Sequence, residues 1–200
     1  AYDPEAGRRA LLRLEPRFKA LVRRCGPMTL AVKPAPSPFE ALAESIVYQQ
    51  LHARAAASIF GRVKSLVGGR PLTPGAVAAL ADDELRGAGL SRAKLAALRD
   101  LAAKAELVPG WTALNRQDDA TILESLTQVR GIGPWTVEML LIFRLGRPDV
   151  WPVDDFAVRK AYGLLFGIVD PKPKEMRERA EAWRPWRTVA AWYLWRSLEG

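Results

Sequence analysis

Apolar residues recur along this 200-residue chain at spacings of three and four, and almost nowhere at spacings of two. The first spacing lays side chains along one face of an α-helix, the second along one face of a strand. Leu11, Leu14, Phe18, Leu21 and Cys25 form one such stripe, and Ile59, Val63 and Leu66 form another. Runs of β-branched residues are scarce, so the expected fold is all-α. Lys33-Pro34-Ala35-Pro36-Ser37-Pro38 reads as a loop, and Thr73-Pro74 and Ser91 read as helix starts. Gly68-Gly69, Gly87-Ala88-Gly89 and Pro109-Gly110 read as breaks. Helices are expected near 4–24, 39–48, 53–67, 74–80, 91–106, 119–128, 135–145, 156–166, 174–183 and 187–198. No repeat of fixed period is present, which argues against a solenoid.

With 49% hydrophobic and 26% charged residues, the chain has the makings of a packed core. No apolar run approaches the roughly 18 residues of a membrane span. The first thirty residues mix Arg and Glu with Leu, unlike a secretory signal. A soluble cytoplasmic protein is expected, with no membrane partner. The single cysteine, Cys25, excludes an internal disulfide and any multi-cysteine metal site. The net charge of +8 suits a polyanionic partner. That charge is uneven: residues 1–38 carry a net of +5, whereas residues 111–160 carry a net of −1. If the latter stretch grips phosphate, it does so without a lysine cluster.

One turn in that stretch stands out: Leu126-Thr127-Gln128-Val129-Arg130-Gly131-Ile132-Gly133-Pro134-Trp135-Thr136, between two helical patterns. Glycines one residue apart permit positive φ and close approach to a ligand. Pro134 suits the first turn of the next helix, and Val129 and Ile132 can pin the turn to a core. The N–H groups at the new helix start would then form an anion site suited to a DNA phosphate. The same residues also fit an ordinary helix–helix connection. A dinucleotide fingerprint is disfavoured, because no strand precedes the glycines and no third glycine follows.

Further on comes Pro152-Val153-Asp154-Asp155-Phe156-Ala157-Val158-Arg159-Lys160. A helix-hairpin-helix followed by an aspartate that opens a helix resembles the helix-hairpin-helix DNA glycosylases. Gly131-Ile132-Gly133-Pro134-Trp135-Thr136 is most similar to the 3-methyladenine DNA glycosylase II (AlkA-type) branch. So are Phe39-Glu40-Ala41-Leu42 with Ile46-Val47-Tyr48-Gln49-Gln50-Leu51, and Leu85-Arg86-Gly87-Ala88-Gly89-Leu90-Ser91-Arg92-Ala93-Lys94. Near the C-terminus, Trp183-Arg184-Pro185-Trp186-Arg187 and Trp192-Tyr193-Leu194-Trp195-Arg196 complete the match. The resemblance implies two helical lobes with a cleft between them, one of about 39–128 and one of about 1–38 plus 129–200, without the extra N-terminal β domain of some relatives.

It further implies a monofunctional DNA glycosylase acting in base excision repair. Such an enzyme flips alkylated purines, 3-methyladenine and 7-methylguanine among them, out of double-stranded DNA and hydrolyses the N-glycosidic bond. The family's catalytic aspartate falls on Asp155, with Asp154 its competitor, and either could instead be a helix N-cap. The residue that plugs the duplex falls on Gln50, with Leu51 beside it; the bland alternative is a core Leu51 and a solvated Gln50. Trp195 falls where the flipped base is stacked, with Trp135 and Met139 as further pocket residues, against the alternative that the tryptophans only pack. Gly131, Ile132, Gly133 and Thr136 fall on the phosphate-binding hairpin. Backbone carbonyls of Thr127, Val129 and Ile132 would hold a monovalent cation, Na or K; no other cofactor and no iron–sulfur cluster is expected. Bifunctional relatives carry a lysine where this chain has Trp135, so no Schiff base is expected. The chain departs from the family pattern at His52, which follows Gln49-Gln50-Leu51 in place of serine, and at Met139, where some relatives have an aromatic. A monomer is expected. The competing readings are a non-catalytic helix-hairpin-helix DNA-binding module, a helical protein-interaction domain, and an iron–sulfur relative, which the lone cysteine opposes.

Overall fold

A computed structural model of the chain describes residues 2–33 and 35–199. Pro34, part of the expected Lys33–Pro38 loop, lies outside the described residues. All regular structure among the described residues is helical. The helices are α1 (Pro4–Leu14), α2 (Phe18–Cys25), α3 (Pro38–Tyr48), α4 (Ala53–Leu66), α5 (Pro74–Ala79), α6 (Asp82–Gly87), α7 (Arg92–Ala103), α8 (Trp111–Arg116), α9 (Asp119–Leu126), α10 (Pro134–Phe143), α11 (Phe156–Phe166), α12 (Pro173–Ala180) and α13 (Arg187–Ser197). Short 3-10 turns cover Ala105–Leu107 and Glu181–Trp183. No described helix is long and apolar enough to cross a membrane.

Local chemistry sets these boundaries. Thr73, Ser91 and Asp118 cap α5, α7 and α9 by accepting backbone N–H groups three residues on. The helix expected over 4–24 is two helices. Pro16 lacks an N–H and cannot continue α1, so the chain breaks at Glu15–Arg17 and restarts at Phe18. Two six-residue helices, α6 and α8, stand where none was expected. In α6 the Glu84 carboxylate accepts the Ala81 N–H at 2.7 Å, closing a turn too short to show periodicity.

The chain forms two compact units, Pro34–Leu140 and Ala1–Lys33 with Leu141–Gly200. Their boundary falls inside α10. The hairpin therefore belongs to the central unit, whereas the expected division placed residues 129 onward with the termini. The reason is local: the hairpin is bonded to α7 and to the end of α3, as described below.

The central unit is built on α3, α4, α5 and α7, with Leu42, Ile46, Val63, Leu72, Val77, Leu98 and Leu101 fully buried. The buried Glu40 carboxylate is paired with Lys64 at 2.9 Å. The other unit has an aromatic core. Trp183 packs edge-on against Phe18 and Trp151, with ring centroids 5.5 and 5.2 Å away, and stacks near Phe166 at 6.1 Å. Of the predicted first stripe, Leu11 and Phe18 are fully buried, while Leu14 is exposed at the break between α1 and α2.

Candidate DNA-repair site

The hairpin between α9 and α10 is pinned by Val129 and Ile132, both buried. Its backbone is held from α7: the Asp100 carboxylate accepts the Arg130 N–H at 2.7 Å and the Lys104 ammonium at 2.9 Å. Lys104 also donates to the Gln128 carbonyl at 2.7 Å. The Arg130 amide first, and then Lys104, hold the Asp100 carboxyl below its ordinary value. The two glycines do different work. Gly131 has φ +78°, and a Cβ there would sit 2.9 Å from the Ala97 methyl group. Gly133 has no positive φ, contrary to expectation, and a Cβ there would meet nothing within 4 Å. The first helical bond of α10 runs from the Val137 N–H to the Gly133 carbonyl at 3.2 Å. The amides ahead of Val137 thus precede the helical ladder, in the geometry that favours anions. Ile132 and Thr136 side chains are buried, so neither can meet a phosphate, and the Ile132 N–H is already donated to the Val129 carbonyl at 3.0 Å.

A residue not expected in a functional role ties this hairpin to α3. The Gln49 side-chain amide donates to the Gly131 carbonyl at 2.8 Å and reaches the Thr136 hydroxyl at 3.5 Å. Lys94 on α7 donates to the Val47 carbonyl at 2.6 Å, in the last turn of α3, and burial lowers its pKa. Both residues lie in segments that carried the family resemblance, but no local periodicity signals a bond spanning 82 residues. Immediately after Gln49, Gln50 is exposed and adopts φ +56°. That is a left-handed conformation which a non-glycine residue takes at a cost of about 1–2 kcal/mol. Leu51 is 40% exposed, which removes the core alternative.

Gln50 and Leu51 line a cavity of about 750 Å³ in this unit, together with Trp135, Thr136 and Met139. Ser45, Tyr48, Gln49 and His52 complete its wall and were not expected there. Among the described residues, no Asp, Glu, Lys or Arg lines it. Trp135 is 43% exposed, so much of the indole is uncovered.

The other candidate residues sit in the terminal unit. Asp155 is the N-cap of α11: its Oδ1 accepts the Val158 N–H at 2.9 Å. The same oxygen accepts the indole N–H of Trp195, from α13, also at 2.9 Å. Trp195 is half-buried, its ring 5.7 Å from that of Phe143. Within this unit, then, Trp195 is bound to Asp155 itself. Asp154 is exposed and turns toward Arg177, 3.8 Å away. The two adjacent carboxylates thus diverge, and it is Asp155 itself that caps the helix.

The loop that delivers Asp155 is locked. Arg187 grips Asp149 in a fork, Nε to Oδ1 at 2.7 Å and Nη2 to Oδ2 at 2.9 Å, and Arg184 adds a third bond at 2.7 Å. The Thr188 hydroxyl donates to the Arg147 carbonyl at 2.7 Å and accepts the Val150 N–H at 2.9 Å. Buried Trp151 donates to the Met176 carbonyl at 3.1 Å. The Trp183–Arg187 segment is thereby explained: it anchors the loop that ends in Asp155.

Sequence comparison decides the relationship. The profile described as HhH-GPD superfamily base excision DNA repair protein matches residues 43–185. The chain belongs to the HhH-GPD superfamily. Among relatives in this superfamily, DNA-3-methyladenine glycosylase 1 of Schizosaccharomyces pombe is 38% identical over 164 residues, covering 80% of this chain and 72% of its own. A solved 3-methyladenine DNA glycosylase of the same yeast, in complex with abasic DNA, superposes with a TM-score of 0.82 at 34% identity, covering 98% of this chain and 97% of the other. A DNA-3-methyladenine glycosidase from Bacillus halodurans gives a TM-score of 0.85 at 34% identity, over 96% and 88% of the two chains. The helix-hairpin-helix for which the superfamily is named is here the α9–α10 turn, and Asp155 opens the next long helix after it.

Proposed function

We propose that this chain is a monofunctional DNA glycosylase that excises alkylated purines, such as 3-methyladenine and 7-methylguanine, from double-stranded DNA. The observation that carries this is Asp155: a carboxylate at a helix N-terminus, fixed by two N–H donors and delivered by a loop locked through Asp149 and Arg187. A base methylated at a ring nitrogen is cationic and already a good leaving group. Cleavage sends the glycosidic electron pair to the purine, which departs neutral, and leaves an oxocarbenium-like sugar. Asp155 stabilises that charge, and a water adds to C1′ and loses its proton. No cofactor enters this reaction.

The remaining roles follow the same reading. The hairpin amides hold a DNA phosphate, which positions the duplex without reading sequence. Gln50 plugs the gap left by the flipped base, a step with a penalty of a few kcal/mol. The uncharged cavity beside it, with the Trp135 indole and the Met139 thioether, suits a flat and polarisable base and attracts its cationic form. The carbonyls of Thr127, Val129 and Ile132 are neutral hard donors, which suit Na or K over a softer metal. Val129 O already accepts the Ile132 N–H at 3.0 Å and keeps a second lone pair. We place the enzyme in the cytoplasm as a monomer, where the lone Cys25 needs no partner.

The test is single-turnover release of methylated base by wild type, Asp155→Asn and Asp154→Asn. Asn at 155 can still accept from Val158 and Trp195, so the helix cap survives while the charge is lost. Release should fall about 10²–10³-fold, with Asp154→Asn near wild type. Activity surviving in Asp155→Asn refutes the catalytic assignment. A wild type that releases no base from any alkylated duplex, yet binds DNA, makes the chain a non-catalytic helix-hairpin-helix module.

A further inference from the structure

Phe156, Leu164 and Val169 are 80%, 71% and 96% exposed, the three most exposed of the large apolar side chains among the described residues. All three line one groove of about 660 Å³ on the terminal unit. Its length follows α11: Phe156, Lys160 and Leu164 succeed one another at intervals of four, along a helix of roughly 16 Å.

The groove is shaped by two glycines. Gly167 ends α11 in the left-handed conformation with φ +67°, and the Ile168 N–H returns to the Gly163 carbonyl at 2.9 Å. A Cβ on Gly163 would lie 2.6 Å from the Ile168 carbonyl oxygen, so only glycine lets the chain fold back this closely. That return places Val169 on the same groove as Leu164. The next residue, Asp170, is held at φ +51° by ion pairs with Arg159, at 2.9 Å, and with Lys172. The wall is therefore fixed, and its apolar side chains are presented outward.

The charges around it are unequal. Arg159 and Lys160 line it with a single carboxylate, Asp170, which Arg159 and, from outside the lining, Lys172 already engage. Lys160 has no ion-pair partner among the described residues. An apolar trough with an unspent basic rim is complementary to an amphipathic acidic segment. Duplex DNA would use only the basic rim, because Leu164 and Val169 offer nothing to a phosphate and would stay uncovered. A second copy fits poorly, since each carries a net charge of +8 and the same basic rim.

We propose that the α11 groove docks a short acidic peptide segment of a protein partner, one that inserts two apolar side chains beside Leu164 and Val169 and sets a carboxylate on Lys160. Variants at Leu164 and Lys160 test this, because neither residue belongs to the proposed catalytic or DNA-binding machinery. The probe is a fluorescent synthetic peptide, Asp-Glu-Leu-Asp-Asp-Leu-Phe-Glu, with a control in which Ser replaces both Leu and Phe. Saturable binding to the wild type is expected, weakened at least tenfold in the control peptide and in Leu164→Ser and Lys160→Glu. Base release from naked duplex and the melting temperature should be unchanged in both variants. No saturable binding overturns the proposal, and so does equal affinity for the control peptide, which would show attraction by net charge alone. Weaker duplex binding by Leu164→Ser would assign the groove to DNA, and a dimer lost in that variant would assign it to a second copy; either overturns it.

Discussion

The indole N–H of Trp195 and the Asp155 carboxylate share a bond of 2.9 Å, and Trp195→Phe removes that bond while keeping an aromatic face. Hydrogen bonds to charged groups are worth about 1.5–3 kcal/mol net. Trp195 is half-buried, so about 1.5–2 kcal/mol is the fitting part of that range. If the bond fixes the carboxylate for the developing sugar cation, its loss slows the chemical step about tenfold to thirtyfold. Affinity for a duplex carrying an abasic site should stay within about twofold, because the Val158 N–H still holds Oδ1 at 2.9 Å. The assay is single-turnover release from duplexes carrying 7-methylguanine, a cationic base, or hypoxanthine, a neutral one, with melts as a folding control. A positioning role predicts equal loss on both lesions and the same loss in Trp195→Leu. A base-stacking role predicts that Trp195→Phe retains most of its activity and that Trp195→Leu suffers most on the cationic lesion. Release by Trp195→Phe within twofold of wild type on both lesions would refute the positioning role.

The hairpin glycines should separate folding from binding. Gly131→Val meets Ala97 and a positive φ and should lower the melting temperature sharply, whereas Gly133→Val has open space and should fold normally while weakening binding to damaged and intact duplex alike; a lesion-selective loss would contradict the phosphate role. Gln50→Ala should slow excision from duplex at least tenfold more than from single strands, and equal loss on both would count against the plug. Asp100→Ala should lower the melting temperature by about 2–4 °C at neutral pH, from about 1 kcal/mol of lost hydrogen bonding. Because the folded Asp100 carboxyl titrates below its ordinary value, that difference should be complete above about pH 4 and shrink as pH falls through the lowered value; a difference that grows with acid would show the sign to be wrong.

Sequence patterning made the helical fold legible where a periodic face exceeded about ten residues, as in α4, α7 and α11. It failed where one residue overrode the pattern, as Pro16 does between α1 and α2, and where the helix was too short to show a period, as in α8. The family resemblance points to the hairpin and to Asp155, with Asp154 as its competitor, but spacing carries no information on direction. Asp154 and Asp155 are equivalent as letters; the structure separates them because the Val158 N–H and the Trp195 indole both reach one of them.

Trp195 shows why the rest was hidden. A tryptophan near a C-terminus can stack, pack or donate, and the choice depends on a partner 40 residues away. Gln49 poses the same problem at longer range, since its amide matters only because the Gly131 carbonyl stands 2.8 Å from it. Both bonds join segments whose separate sequences are unremarkable as helix ends. The features that make a site out of a motif are thus long-range hydrogen bonds to fixed backbone and carboxylate oxygens. The arginine fork on Asp149 extends the principle: it touches no candidate catalytic atom, yet it sets the path of the loop on which Asp155 rides. A substitution there should slow base release through a looser loop even with Asp155 and Trp195 intact.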